Sequence, residues 1–280
     1  MSAPLPPAVT CRPITAADIP AAHTLSARVG WSHRLEDWAM LQRLADGFVC
    51  ESAGQVVGSS FACHQGDFSL IGLVIVDDAY QGLGIGRRLM ELALATVAPR
   101  TALLNATPAG APMYLKMGFR EYARIEQWQG VATPLAAANG TRDLRAADRS
   151  RLHALASAGS GLQRGAVLDE VLASALQGIA VEHEGQVASF ALLRPFGRGL
   201  SIGPVIARDE HEAWQLVCTL LSRVAGEFVR IDIAAGCGLS ERLAGAGLKC
   251  VASAAQMTLG SAPQARGGVQ QFALITQATG

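Results

Sequence analysis

The stretch that most limits what this chain can fold into runs from Ile71 to Gly86, I-G-L-V-I-V-D-D-A-Y-Q-G-L-G-I-G. Ile71 to Val76 is apolar and rich in β-branched residues, which predicts a buried strand. Asp77-Asp78-Ala79-Tyr80 breaks that run. Gly82, Gly84 and Gly86 then follow at alternate positions, and Arg87-Arg88-Leu89-Met90 opens a helical pattern. A helix start offers free backbone N–H groups and the positive end of its dipole, and glycines let that backbone close on an anion. Strand, glycine loop and helix in this order predict an α/β fold with a cradle for a phosphate or pyrophosphate.

Three kinds of site share that geometry. A P-loop requires Gly-Lys-Ser/Thr at its end, whereas Gly86 is followed by Arg87-Arg88. A dinucleotide fold, and with it a nicotinamide-dependent oxidoreductase, wants an acid about twenty residues on for the ribose. No Asp or Glu lies between Leu92 and Arg120. The third is a loop of the form Gln/Arg-x-x-Gly-x-Gly/Ala, and Gln81-Gly82-Leu83-Gly84-Ile85-Gly86 fits it at every fixed position.

A second motif lies downstream. Thr101 to Thr107 reads as another buried strand, Pro108-Ala109-Gly110 turns the chain, and Ala111-Pro-Met-Tyr-Leu-Lys-Met-Gly-Phe119 follows, with Tyr114 four residues before Gly118. With these two motifs, residues 12–128 resemble the GNAT N-acetyltransferases, and the whole chain resembles bacterial tandem-GNAT proteins with an active first copy and a degenerate second one. The resemblance implies an α/β fold with a mixed α+β sheet, built as two tandem GNAT-like acyl-CoA N-acyltransferase domains. It implies acetyl-CoA as co-substrate and direct attack by a primary amine of a small molecule. The main chain of Val74 and Val76 would pair with pantetheine like an added strand. Gln81, Gly82, Leu83, Gly84, Ile85, Gly86 and Arg87 would hold the pyrophosphate, and Asn105 would touch the pantetheine arm. Tyr114, a phenol with an ordinary pKa near 10, would protonate the leaving thiolate.

The general base does not transfer. Many family members carry a glutamate on the central strand, but Phe68 to Val76 contains no acid. A polar cluster, Trp31-Ser32-His33-Arg34-x-Glu36-Asp37, lies between the first two predicted helices, and His33 is its candidate base or substrate contact. His64 and Asp67, just before the central strand, are further candidates. The missing glutamate leaves one alternative open, a non-catalytic acyl-CoA-binding sensor; Tyr114 argues for turnover.

The second half repeats the first. Glu51-x-x-Gly54-Gln55-Val56 returns as Glu182-x-x-Gly185-Gln186-Val187, and Ile71-Gly72-x-Val74-Ile75-x-x-Asp78 returns as Ile202-Gly203-x-Val205-Ile206-x-x-Asp209. Ala16-Ala17-Asp18 matches Ala146-Ala147-Asp148, and Gly118-Phe119 corresponds to Gly247-Leu248. Ordered blocks at nearly constant shifts indicate duplication. Opposite the glycine loop stands Glu212-Ala-Trp-Gln-Leu-Val217, which has no glycine, so the second copy is expected to bind no acetyl-CoA. The seam falls in Thr133–Gly140, dividing the chain into a cofactor-binding domain over 1–134 and a degenerate domain over 135–280. Gln163-Arg164 and Arg194-Pro-Phe-Gly-Arg198 are polar runs by which the second copy could reach a shared acceptor pocket. A chain cut near Pro134 is expected to keep cofactor binding and lose acceptor turnover.

Composition narrows the classes further. With 280 residues, half of them apolar, and 23 basic against 23 acidic side chains, nothing favours nucleic acid or a membrane surface as partner. Residues 1–10 read as a Pro-rich lead without the basic and apolar segments of a secretory signal. Cys11, Cys50, Cys63, Cys218, Cys237 and Cys250 show no Cys-x-x-Cys pair. They are expected to be reduced and mostly buried in a cytoplasmic protein, with no metal site.

Overall fold

The computed structural model describes residues 9–280. Most of the Pro-rich lead lies outside the described residues. The first half comprises strand β1 (Val9–Pro13), helices α1 (Ile19–Arg28) and α2 (Leu35–Leu44), strands β2 (Ala45–Ser52), β3 (Gln55–Gln65) and β4 (Phe68–Val76), helix α3 (Ile85–Val97), strand β5 (Thr101–Ala106), helix α4 (Ala111–Lys116) and strand β6 (Arg120–Val131). The second half follows the same order with β7 (Thr141–Asp143), α5 (Arg149–Ser160), α6 (Gly165–Ser174), β8 (Gln177–His183), β9 (Gln186–Phe196), β10 (Gly199–Ala207), α7 (Glu210–Ser222), β11 (Phe228–Ala234), α8 (Ser240–Gly245) and β12 (Lys249–Leu259). It then adds β13 (Gln270–Ala273), which has no counterpart in the first half.

The repeat extends to side-chain chemistry. Arg12 pairs with Asp18 at 2.7 Å and also with Glu51, while Arg142 pairs with Asp148 at 2.7 Å and with Glu182 at 2.5 Å. Each arginine ties the first strand of its copy to the turn before the first long helix and to the hairpin beyond. The hairpins turn alike: Ala53 and Gly54 have φ 49° and 76°, Glu184 and Gly185 have 51° and 75°. Thr15 starts the helical turn before α1, with the Asp18 carboxylate accepting from the Thr15 N–H at 2.7 Å.

All described strands join one sheet in the order β1-β2-β3-β4-β5-β12-β6-β11-β13-β10-β9-β8-β7. The centre of that order contains a reciprocal exchange. β12, the second copy's late strand, pairs with β5 of the first, from Ala255↔Ala106 to Leu259↔Ala102. β6, its counterpart in the first copy, pairs instead with β11, from Phe228↔Val131 to Ala234↔Ile125. The two exchanged strands also pair with each other. A chain-order division near residue 134 therefore does not divide the sheet.

The cores are shared in the same way. Phe61 and Cys63 of β3 face α1 and α2, and the alternate Ala62 faces α3. The first of these clusters continues through Leu152, Leu155, Val167, Leu168 and Phe190 of the second copy. A buried ion pair crosses the junction, Arg194 Nη1 to Asp37 Oδ1 at 3.0 Å. One expectation is overturned here. Cys11 and Cys50 form a disulfide between β1 and β2 rather than remaining thiols. They lie directly opposite each other in the antiparallel register, Cα atoms 4.0 Å apart, although 39 residues separate them in sequence. The other four cysteines are free, Cys63 and Cys218 buried, Cys237 partly so and Cys250 exposed.

Candidate functional site

β4 and β5 pair in parallel from Phe68↔Thr101 to Ile71↔Leu104 and then part. The parting follows from local backbone. Leu73 has φ 50° and the register of β3 against β4 shifts beside it, while the Ser59 hydroxyl donates to Leu73 O at 2.9 Å and holds the kink. Beyond Ile71, the β5-facing edge of β4 has no strand partner among the described residues. A chain of amides could add there as a strand.

The glycine loop closes the end of this gap. Gly82 and Gly84 have φ 78° and 79°, and a Cβ added to either would meet nothing within 4 Å. Their glycine character is thus required by conformation, and the space beside them is open. Gly84 caps α3, and the Asp77 carboxylate accepts from Ala79 N at 3.0 Å to fix the turn before it. The resulting cleft has a volume of about 650 Å³ and is lined by Val74, Val76, Gln81, Gly82, Gly84, Ile85, Gly86, Arg87, Asn105 and Tyr114, among others. Leu83 is not in that lining and is 49% exposed.

A second cavity, about 570 Å³, lies on the other side of the same gap. Trp31, Gly72, Leu73, Asn105 and Thr107 line both. Its remaining walls come from both copies: Ser32 and His33 from the first, Gln127 and Gln129 on β6, Arg230 on β11, Val251–Ala254 on β12, Arg198 from the β9–β10 turn and Gln277 from the tail.

The electrostatics of the proposed catalytic side chains differ from their free values. Tyr114 is buried, its ring set edge-on to Phe119 at 6.0 Å, and burial pushes its hydroxyl up to about 12. It therefore stays protonated at any ordinary pH. His33 goes the other way. Burial first, and then the neighbouring charges of Arg230 and Arg194, push its imidazolium down to about 3. The imidazole is neutral, lies edge-on to Phe196 at 5.4 Å, and its Nδ1 is buried without a partner. A group so hard to protonate is a weak proton acceptor. Asn105 Nδ2 donates to Gln277 O at 2.7 Å, while its buried Oδ1 has no partner among the described residues.

The other candidates lie elsewhere. His64 bonds Ser69 Oγ at 2.8 Å and Asp46 Oδ2 at 3.0 Å, and neither it nor Asp67 lines the two cavities. Arg164 is fully buried beside Gln271 and Gly280, away from both. Of the second copy's polar runs, Arg198 reaches the shared cavity and Arg194 backs it. Sequence reasoning missed Thr107, Gln127, Gln129, Arg230, Ser253 and Gln277. Only Arg230 left a readable trace: with Asp232 it places two charges in the otherwise apolar strand F-V-R-I-D-I-A.

The second copy's equivalent gap is closed. β10 and β11 pair from Leu200↔Val229 to Ile202↔Ile231 and then part, and β13 enters the space, pairing with β10 at Val205–Ala207 and with β11 at Ile233. At the start of α7 the Asp209 side chain accepts from Glu212 N at 2.9 Å. The buried Glu212 carboxylate takes the place of the glycine loop there, bonded to Ser189 Oγ and to His183 Nε2 at 2.6 Å. Chain and carboxylate fill what the first copy leaves open.

Comparison with known proteins agrees with this architecture. Two family models, each described as an acetyltransferase (GNAT) domain, match residues 44–121 and 152–272. The chain belongs to the GNAT acetyltransferase family and carries two such domains in tandem. It is 31% identical over 175 residues to YitH, an uncharacterized N-acetyltransferase of Bacillus subtilis (strain 168). That match spans 60% of this chain and 61% of the relative's length. A protein from Pyrococcus horikoshii, named as an acetyltransferase, superposes with a TM-score of 0.81 at 19% identity, covering 97% of this chain and 96% of its own. A tandem GNAT protein from the clavulanic acid biosynthesis pathway superposes at 0.63 with 16% identity, covering 92% and 100%. These two likenesses bear on the fold. No helix among the described residues is long and apolar enough to cross a membrane.

Proposed function

We propose that this protein moves an acetyl group from acetyl-CoA directly to a primary amine of a small molecule. The observation that carries the reading is the shared mouth of the two cavities at Trp31, Gly72, Leu73, Asn105 and Thr107. A thioester held from one side and an amine held from the other meet there without a covalent enzyme intermediate. The residues fit acetyl-CoA: a cradle that a side chain would occupy at Gly82 and Gly84, a β4 edge at Val74 and Val76 with no strand partner among the described residues, and the Oδ1 of Asn105, buried without a partner among them.

Bound acetyl-CoA supplies the activated thioester carbonyl. Backbone N–H groups of Gln81 to Arg87 hold the pyrophosphate at the helix start. The new C–N bond forms as the C–S bond breaks, the nitrogen gives up one proton, and the sulfur takes one. The Tyr114 hydroxyl is the donor at the sulfur. His33, neutral and in the acceptor cavity, orients the acceptor more than it takes a proton. The nitrogen's proton passes to water, since no carboxylate lines the cavity. That same lack supports the second reading, an acyl-CoA sensor without turnover. A cytoplasmic location belongs to this proposal, as does a division near residue 134 in chain order though not in the sheet, and the Cys11–Cys50 bridge is the observation against a uniformly reduced chain. CoA release from acetyl-CoA, measured with and without a panel of amines, tests it. Tight acetyl-CoA binding with no amine-dependent release would leave the sensor standing and overturn the transferase.

A further inference from the structure

The walls of the acceptor cavity carry a charge pattern that selects its occupant. Three guanidinium groups gather at its second-copy side. Arg194 is buried behind Phe196, 4.8 Å from the ring centroid, and is matched by Asp37. Arg230 lies 5.2 Å from the same ring and holds Asp232 through Nε and Nη2 at 2.7–3.2 Å. Among the described residues nothing bonds its Nη1. Arg198 stacks 4.7 Å over Phe228 and has no carboxylate within ion-pair distance among the described residues. No Asp or Glu is in the cavity lining. Three cations face two anions, both of which sit behind the wall rather than in the cavity. Arg230 and Arg194 add to burial in holding the His33 imidazolium down.

The geometry is also fixed in advance. Arg198 follows Gly197, whose φ is 59° and whose added Cβ would fall 2.7 Å from Ser32 O. The β9–β10 turn thus rests directly on the first copy beside His33, and the Phe228 ring limits the guanidinium's freedom. Groups held this way bind an anion without first being ordered. They also repel a second cation, so a diamine or polyamine is a poor match. The lining of the same cavity also carries neutral polar side chains, Gln127, Gln129, Ser253 and Gln277.

We infer that the acceptor is an amine that also carries a carboxylate, which Arg198 and Arg230 hold while its nitrogen reaches the mouth at Trp31 and Thr107. The inference rests on the acetyltransferase reading but is tested separately from it. The full chain is assayed for CoA release with β-alanine against β-alaninamide, and L-phenylalanine against L-phenylalaninamide, with 2-aminoethylphosphonate as an anion of different shape. The same compounds are titrated calorimetrically into protein saturated with CoA. The amides have the less basic nitrogens and are favoured by chemistry alone, so a preference for the acids reports the site. A charge-assisted contact predicts a preference of about 10- to 100-fold in kcat/KM or in affinity.

Arg198→Gln, at an exposed position, is expected to remove most of that preference through KM, with kcat nearly unchanged and an unaltered melting temperature; Arg198→Lys keeps part of it. Amides used or bound as well as the acids would overturn the inference, as would a preference untouched by Arg198→Gln. A phosphonate preferred over both acids would retain the anion site and overturn the carboxylate. Selective binding of the acids with no CoA release from any amine would overturn the transferase reading alone.

Discussion

Gly86→Ala offers a test in which stability and function should move in opposite directions. Gly86 is the second residue of α3, with no positive φ, so the backbone accepts alanine without strain. An added Cβ would lie 3.6 Å from both Met113 Sδ and Val76 Cγ2, an ordinary contact distance. Glycine-to-alanine replacement at a compatible site stabilises a protein by about 0.4–1 kcal/mol, chiefly by restricting the unfolded chain. For a domain of this size that raises Tm by about 1–3 °C. Yet Val76 and Met113 both line the proposed cofactor cleft, and the new methyl takes up space there beside the backbone N–H groups proposed to hold the pyrophosphate. Losing one such charge-assisted hydrogen bond costs about 1.5–3 kcal/mol, a weakening of acetyl-CoA binding by roughly 10- to 150-fold. Thermal melting without ligand and calorimetric titration with acetyl-CoA read the two effects separately. A variant that is more stable and binds with unchanged affinity would refute the cradle. Gly84→Val is the complementary case: at φ 79° it should cost about 1–2 kcal/mol of stability as well as abolishing binding.

Tyr114→Phe keeps the packing against Phe119 and removes the donor, so kcat should fall about 100-fold with acetyl-CoA affinity nearly unchanged. Because the hydroxyl keeps its proton to about pH 12, the native rate should not decline near pH 10 on its account; a tyrosine-dependent loss there would contradict the burial argument. Asp37→Ala strands the buried Arg194 charge and should cost about 3–5 kcal/mol in urea unfolding, against below about 1 kcal/mol if the pair behaved like an exposed one. Calorimetry should find one acetyl-CoA per chain, and a stoichiometry of two would refute the closure of the second gap by β13 and Glu212. A chain ending at Pro134 loses β12 from the side of β5 and β11 from the side of β6, so it should aggregate or bind acetyl-CoA only weakly. A soluble, fully active fragment would show that β6 can return to β5 unaided.

That last expectation departs from what the sequence alone suggested, and the reason is instructive. The strand, glycine loop and helix that build the proposed cofactor cleft were legible because they are contiguous: strand, turn and three glycines lie within Ile71–Gly86, and backbone geometry follows from them locally. Duplication was legible because the same side chains recur at a constant shift. The acceptor cavity was not, since Gln127, Arg230, Ser253 and Gln277 meet only after two strands change places. No periodicity in a strand says which neighbour it will choose. The Cys11–Cys50 bridge was hidden for the same reason, as it depends on register and not on spacing. His33 was picked out as a possible base by its ordinary pKa, but burial first, and then the charges of Arg230 and Arg194 delivered from the other copy, hold it neutral.

The two copies put one structural fault to different uses. Where a parallel strand pair parts, each edge is left with backbone groups that must be satisfied. In the first copy the gap between β4 and β5 stays open, and an amide chain of the right length can complete it. In the second copy β13 completes it permanently, and Glu212 sits at the helix start that would otherwise attract an anion. The same segment then runs on past β13. Gln277 O accepts from Asn105, and Ala278 lies against Gly72, so close that a Cβ there would fall 2.9 Å from its Cα. One stretch of chain therefore fills the second copy's gap and builds a wall of the cavity beside the first copy's gap. The second copy is thereby required for the shape of the cavity in which we propose the acceptor is held.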